Sequence, residues 1–360
     1  MLCQPIRALT SITKKMADTK TPLLSAAGSA NKAEDVYDQG SNFSGHNLEN
    51  GIFYRHWSVP SGTKARAVLF VFHGVHEHSG RYADFGNKCA SAGFDVFAID
   101  HFGHGRSPGY TEGAEGDVGE KGFFDGVVAN AVDLVNTESA GKDLPVFIFG
   151  HSMGSMCAFL TAHTLATNAS MPTPKGVVLS GFAMNPGPAS NSPFGLACLG
   201  CIVYCCDGVF ARAIARLTAK LAPLAPNSPL DVSKTTRDKK MVMKTTLDQL
   251  HFGGPIRNRT ASACLAAGLK CKNLATMWGE GNFPALIVHG EDDSVTLPSG
   301  SQFLFDHIPQ KDKELILYPG CYHELLMELE DDRAKATKDI LQWMENHLVE
   351  NEDNSSKNII

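Results

Sequence analysis

Six short apolar runs punctuate the chain, each closed by a turn signal: "AVLFVFHG" (67–74), "FDVFAIDH" (94–101), "PVFIFGH" (145–151), "GVVLSG" (176–181), "PALIVHG" (284–290) and "ELILYPG" (314–320). They are continuous rather than alternating, as expected of strands covered on both faces. The aromatic and β-branched stretch "GIFYRHWSVP" predicts one more strand before them. Helical patterns separate most of the runs, around 80–92, 122–137, 153–167, 299–308 and 334–348. Strand–helix alternation of this kind predicts an α/β fold on a mostly parallel, doubly wound sheet.

The rhythm breaks once. About a hundred residues separate "GVVLSG" from "PALIVHG", too many for a loop in a compact domain. This insert, 183–282, contains helical stretches such as "GVFARAIARLTAKLA" and "ASACLAAGLKCKNLATM". It reads as a helical cap inserted before the last two strands, with 46–182 and 283–348 as the core. Residues 1–45 are rich in Ser, Thr, Ala, Asn and Gly without a period and read as disordered. Residues 349–360 read as a flexible tail. The sequence has no internal repeat.

Composition narrows the function classes. The 360 residues are 43% hydrophobic and 19% charged, enough for a large buried core. The net charge of -6, without a long basic block, argues against a nucleic-acid partner. Ten cysteines without a secretory signal read as reduced thiols in a cytoplasmic compartment. The first twenty residues carry Arg7, Lys14, Lys15 and Lys20 against one acid, Asp18, and lack an apolar h-region. An organelle transit peptide is the weaker reading of that stretch, and a disordered head the stronger.

Candidate chemistry starts at "FIFGHSMGSMC" (147–157), where Gly150-His151-Ser152-Met153-Gly154 fits G-x-S-x-G between a strand and a helix. A nucleophile lifted onto a sharp turn crowds its neighbours, so positions two residues either side must lack a Cβ. The turn also aims the following N–H groups and the helix N-terminus at developing negative charge. Such a serine needs a base, itself oriented by a third group. Downstream, "EDDSV" offers Glu291, Asp292 and Asp293, and "CYHELL" offers His323. Asp293 leads among the acids because it stands past the turn, whereas Glu291 and Asp292 suit the turn itself. His289, His307 and His347 are the alternative bases, the first within a strand and the others in helical patterns. The oxyanion hole requires two backbone donors, predicted at Met153 and Val75, with Gly74 allowing close approach. Gly74 and His151 are candidate substrate contacts in the core.

Taken together these segments resemble the monoacylglycerol lipase family of the α/β-hydrolases. "HGVHEHSGRY" resembles its H-G-x-x-E-H-S-x-R-Y loop, "IDHFGHGRSPG" its D-x-x-G-H-G-x-S segment, and "GHSMGS" its nucleophile elbow. "GEDDSV" and "YPGCYHELLMELE" resemble its acid and histidine loops, so the likeness spans about 50–348. The resemblance implies an α/β-hydrolase fold and a Ser152–His323–Asp293 triad. It implies release of fatty acid and glycerol through an acyl-enzyme, with a lipid ester as partner and no cofactor. Two departures bear on substrate range: Ser155 stands where many members have glycine, and Val75-His76 where many have smaller residues. A lysophospholipase or broader carboxylesterase is the runner-up, and a ligand receptor on a hydrolase scaffold the third reading. The sequence sets no oligomeric state.

Three other signals compete. His73, His76, His78, His101 and His104, with Glu77 and Asp100, lie on neighbouring loops and offer a rival zinc site. The H-E-x-x-H spacing is absent, so they are read as hydrogen-bonding the loops, with Arg81 and Arg106 as partners for the acids. "FGHGRSPG" lacks the third glycine of a dinucleotide loop, which Pro108 replaces. "FGLACLGCIVYCCDGVF" holds Cys198, Cys201, Cys205 and Cys206 but no second ligand pair, and is too short to span a membrane. It reads as an apolar cap helix, and its Leu199 and Ile202 are candidates for substrate contact and for peripheral membrane contact.

Overall fold

The computed structural model describes residues 36–37, 42–110, 112–120, 124–187 and 209–355. Its centre is a sheet of eight strands: β1 (Ser44–Asn47), β2 (Phe53–Trp57), β3 (Ala67–Phe72), β4 (Phe94–Ile99), β5 (Val146–His151), β6 (Gly176–Ser180), β9 (Ala285–Gly290) and β10 (Lys313–Tyr318). A separate ladder pairs β7 (Pro226–Ser228) with β8 (Ile256–Arg257). The sheet order is β1-β2-β4-β3-β5-β6-β9-β10; β2 is antiparallel to both its neighbours, β1 and β4, and every other pair is parallel. Every residue of β3, β5, β6 and β9 is buried, so the continuous apolar runs mark strands covered on both faces.

Among the described residues eight α-helices accompany the strands: α1 (Ala83–Ser91), α2 (Phe124–Ser139), α3 (Met153–Ala166), α4 (Val209–Leu221), α5 (Lys239–Leu247), α6 (Asn258–Leu274), α7 (Pro298–His307) and α8 (Glu330–Ser355). On one sheet face α2, α3, α6 and α7 supply Val135, Met156, Ala267 and Leu304 to the core. On the other, α1 and α8 supply Phe85, Cys89, Ile340 and Trp343. α3 is apolar nearly all round because it lies between the sheet and the helices α2 and α6. That burial anchors the helix whose first turn forms the site. Burying each large apolar side chain contributes roughly 1.5–3 kcal/mol.

The insert between β6 and β9 carries α4, α5, α6 and the β7–β8 ladder. Its far end is fixed by Trp278, which stacks on Phe159 at 4.5 Å and donates its indole N–H to the Phe159 carbonyl at 2.7 Å. The sequence pattern missed α5, although Asp238 caps it by accepting from Lys240 N–H at 2.8 Å, and missed β7 and β8, which are too short to show a period.

Order begins earlier than composition suggests. β1 is a polar, exposed edge strand held by backbone pairing to β2, so no hydrophobic alternation announces it. Tyr37 is also buried: its hydroxyl lies 3.2 Å from Thr245 Oγ1, and the Lys244 ammonium sits 3.8 Å from its ring centroid. At the other end α8 continues to Ser355, into the expected tail. The remainder of 1–45, the Cys198–Cys206 cluster, Leu199 and Ile202 lie outside the described residues. Among the described residues no helix is long and apolar enough to cross a membrane.

Candidate active site

Ser152 sits between the end of β5 and the start of α3, with φ 54° and ψ -122°. That left-handed conformation costs a non-glycine residue about 1–3 kcal/mol, and the surroundings enforce it. Ser152 N–H donates to the Ser180 carbonyl at 2.9 Å, tying the turn to the end of β6. A Cβ on Gly150 would meet the Gly154 carbonyl oxygen at 2.1 Å, and one on Gly154 would meet the Phe72 carbonyl oxygen at 2.1 Å. Both are backbone atoms that cannot swing away, so glycine is required at each position. Ser155, where a glycine was the expectation, donates its hydroxyl to the Ser152 carbonyl and accepts from Ala183 N–H, which ties the turn down further.

The loop after β3 approaches the serine from the side. A Cβ on Gly74 would lie 2.9 Å from Ser152 Cβ, so only glycine permits this approach. Val75 follows it, and Met153 opens α3 with an N–H that has no acceptor within the helix. His73 holds the loop: its Nε2 accepts from His101 N–H at 3.0 Å, so Nδ1 carries the proton and donates to the Gly74 carbonyl at 2.7 Å.

After β9 the chain turns through exposed Glu291 and Asp292 and buries Asp293. His323, in the loop after β10, donates from Nδ1 to Asp293 Oδ2 at 2.7 Å. Asp293 Oδ1 accepts from the N–H groups of Val295 and Thr296, at 2.7 and 3.0 Å. Burial opposes ionisation of Asp293, but the charge on His323 and the hydrogen bonds from His289 and His323 outweigh it and hold its pKa far below the usual carboxylate range. Burial likewise opposes charging His323, and Asp293 reverses the balance, raising its pKa.

One cavity joins these pieces. It is lined by Ser152, His323, Val75, Glu77, Val295 and Glu324, and by Leu230, Val232, Thr235 and His251 from the insert. His151 lines a second, adjoining cavity with Glu77, Arg81, Tyr82, Ser180 and Glu324, its ring 4.7 Å from that of His323. Burial pushes the His151 pKa down to about 3, and the neighbouring His323 adds to the effect. His76 is not among the residues lining the Ser152 cavity; its ring packs edge-on against Phe252 at 4.9 Å.

Residues 63–330 match the family described as serine aminopeptidase, S33. The chain belongs to that family. It is 30% identical over 302 residues to a monoacylglycerol lipase of Mycolicibacterium smegmatis, covering 82% of this chain and 94% of that protein. It is 29% identical over 297 residues to the Homo sapiens monoglyceride lipase, covering 81% and 86%. Among solved structures, the Paleococcus ferrophilus monoacylglycerol lipase superposes with a TM-score of 0.66 at 24% identity over 82% of this chain and 99% of that one. A soluble variant of the Saccharomyces cerevisiae monoglyceride lipase, in complex with a substrate analog, gives 0.67 at 23% over 91% and 99%. The fold is that of the α/β-hydrolases.

Around the site some residues stand as the sequence predicts and others do not. The histidines at the strand ends serve the loops: His78 donates from Nε2 to Asp248 Oδ2 of the insert at 2.7 Å, and His104 from Nδ1 to the Phe102 carbonyl at 2.8 Å. Among the described residues no group of three or more His, Cys, Asp or Glu side chains is arranged to hold a metal ion. Arg81 donates to Glu324 at 2.6 Å, with the charge of Glu77 nearby. Asp100 accepts the backbone N–H of Arg106 at 2.8 Å, and the Arg55 guanidinium lies 3.6 Å from its Oδ1. A charged residue inside the buried strand β2 is the signal that could have found Arg55. His289, an alternative base in the sequence, lies on the far side of Asp293 instead, while His307 stacks on Phe303 and His347 reaches Asp312. Thr296, missed in the sequence, donates its hydroxyl to Asp293 Oδ2 at 3.0 Å.

Proposed function

We propose that this protein is a serine ester hydrolase that cleaves monoacylglycerols to fatty acid and glycerol. The observation carrying this reading is the single cavity shared by Ser152, Val75 and His323, in a chain similar to monoacylglycerol lipases. Ser152 Oγ attacks the ester carbonyl while His323 Nε2 takes its proton, and Asp293 holds the imidazolium through Nδ1. The oxyanion rests on the N–H groups of Val75 and Met153. His323 then gives the proton to the departing glycerol oxygen. In the second half, His323 takes a proton from water as its oxygen bonds to the acyl carbon, then returns that proton to Ser152 Oγ as the carbon–Oγ bond breaks and the fatty acid leaves. Ser152, His323 and Asp293 complete this cycle without a cofactor.

The insert, 183–282, acts as the cap that chooses the leaving group, since Leu230, Val232, Thr235 and His251 line the cavity. Two carboxylates, Glu77 and Glu324, line it as well, against one nearby guanidinium, Arg81. Carboxylates accept hydrogen bonds from polyol hydroxyls and repel an anionic phosphodiester, which favours a monoacylglycerol over an anionic lysophospholipid and leaves a zwitterionic one to be tested directly. A poorly soluble substrate also needs a route from lipid. α4 offers one: Ile214, Leu217 and Leu221 are 52%, 56% and 76% exposed, with basic Arg216 and Lys220 beside them. The cap then touches the membrane peripherally through α4.

The test is release of oleate from monooleoylglycerol and from oleoyl-lysophosphatidylcholine, side by side, with an aminoacyl anilide as third substrate, with and without EDTA. Preference for the monoglyceride, insensitive to EDTA, is the expected result. Preference for the lysophospholipid or the anilide would overturn the substrate assignment and leave the serine chemistry standing.

A further inference from the structure

Asp293 has a second imidazole partner. His289, on β9, is fully buried, and its Nε2 lies 2.9 Å from Asp293 Oδ2 and 3.0 Å from the Thr296 carbonyl oxygen. Both neighbours are acceptors, so Nε2 carries the proton and donates. Its Nδ1 lies 2.7 Å from Ser301 Oγ, itself buried on α7. Oδ2 of Asp293 therefore receives three donors, from His323 at 2.7 Å, His289 at 2.9 Å and Thr296 at 3.0 Å.

We propose that His289 is a positioning residue, which holds Oδ2 of Asp293 fixed between two imidazoles and tempers the negative charge that His323 feels. This rests on the reading of Ser152 and His323 as nucleophile and base. The N–H groups of Val295 and Thr296 hold Oδ1, and the side-chain donors, His289 among them, hold Oδ2. Donors from β9, the acid turn and the histidine loop fix it from three directions. Each further donor also draws charge away from the side facing His323, so the shared proton stays on His323 Nδ1 while Asp293 remains ionised. The chain Ser301–His289–Asp293–His323 is a continuous buried network, and the first two members never touch substrate. A packing histidine would not require its proton-bearing nitrogen to point at the acid.

Two variants separate the roles. His289→Gln keeps an N–H donor at the position of Nε2 without an ionisable ring. His289→Phe keeps the ring volume and removes the donor. The readout is the rate at which a fluorophosphonate probe labels Ser152 as a function of pH. The groups facing His323, namely Asp293, Glu77, Glu324 and His151, are the same in every variant. In His289→Gln the acid-limb midpoint stays within about 0.3 units of the parent. In His289→Phe it rises by about half a unit to one unit, and the plateau rate falls about tenfold. Should His289→Phe fail to fold, Ser301→Ala gives a smaller shift in the same direction. Equal losses in both His289 variants with no shift of the midpoint would overturn the proposal, as would an unshifted Ser301→Ala. A parent protein not labelled at any pH would instead overturn the assignment of Ser152, and this inference with it.

Discussion

Nδ1 of His323 and Oδ2 of Asp293 lie 2.7 Å apart, with both side chains buried. Burial alone would make the imidazole harder to charge, yet the carboxylate beside it reverses the sign and raises its pKa. The base must be neutral to accept the Ser152 proton, so acid turns the enzyme off. The expected acid limb of kcat/KM on a soluble ester then has its midpoint above the ordinary histidine value of about 6.5. In Asp293→Asn the charge is gone and burial remains, so the midpoint moves down and turnover falls about 10⁴-fold. A parent midpoint at or below the ordinary value would mean that burial dominates at His323.

Replacing the nucleophile tests the assignment directly. Ser152→Ala removes only the attacking oxygen and leaves the Cβ at this positive-φ position unchanged, so the fold is kept. Loss of roughly 10⁴- to 10⁶-fold in turnover is expected, because triad members act as a unit. Turnover within a hundredfold of the parent would require another nucleophile.

The elbow glycines give a stability prediction with an internal control. Gly154→Ala drives a methyl group to 2.1 Å from the Phe72 carbonyl oxygen, so a strand or α3 must shift. A loss of about 3 kcal/mol in urea unfolding is expected, with loss of Ser152 labelling. Gly253 has nothing within 4 Å of a built Cβ, so Gly253→Ala stays within about 0.5 kcal/mol. Equal behaviour of the two variants would contradict the packing at the elbow.

These contacts show which features the sequence could carry. The strands β3 to β6 and β9 were legible because burial on both faces leaves an unbroken apolar run, whereas β10, at the sheet edge, shows such a run although most of its residues are half-exposed or exposed. Ser152, Asp293 and His323 were legible because glycine spacing and strand ends mark where such side chains emerge. β1 was not, since an exposed edge held by backbone hydrogen bonds imposes no pattern on its side chains. Thr296 and the second partner of Asp293 were not, because a hydroxyl or a histidine reads alike whether it packs or donates. Arg81 found Glu324 across 243 positions of sequence, a pairing that only the tertiary fold specifies.

The insert is tied to the loop beside the serine by His78 Nε2–H to Asp248 Oδ2 at 2.7 Å and by Phe252 N–H to the His76 carbonyl at 3.2 Å. Nδ1 of the His78 ring accepts from Gly80 N–H at 3.2 Å, so its proton sits on Nε2 and needs the Asp248 acceptor. Asp248→Leu leaves that N–H buried without a partner, at a cost of about 1–3 kcal/mol. Because the loop also carries Val75, kcat should fall together with stability. Unchanged kcat in a destabilised variant would separate the insert's anchoring from the geometry of the oxyanion donors.

The exposed face of α4 makes the final prediction. Ile214, Leu217 and Leu221 follow helical spacing and stay in water, while Arg216 and Lys220 lie between them. Burying two such side chains in a bilayer interface contributes roughly 1.5–3 kcal/mol each, and each basic neighbour adds about 1 kcal/mol on an anionic surface. Ile214→Glu with Leu217→Glu should therefore weaken binding to phosphatidylserine-containing vesicles by at least about a hundredfold, while turnover of a short soluble ester is unchanged. Arg216→Gln should matter only on anionic vesicles and less at high salt. Vesicle binding that survives the double substitution would remove α4 from the membrane-facing side of the enzyme and leave its apolar stripe for a protein partner.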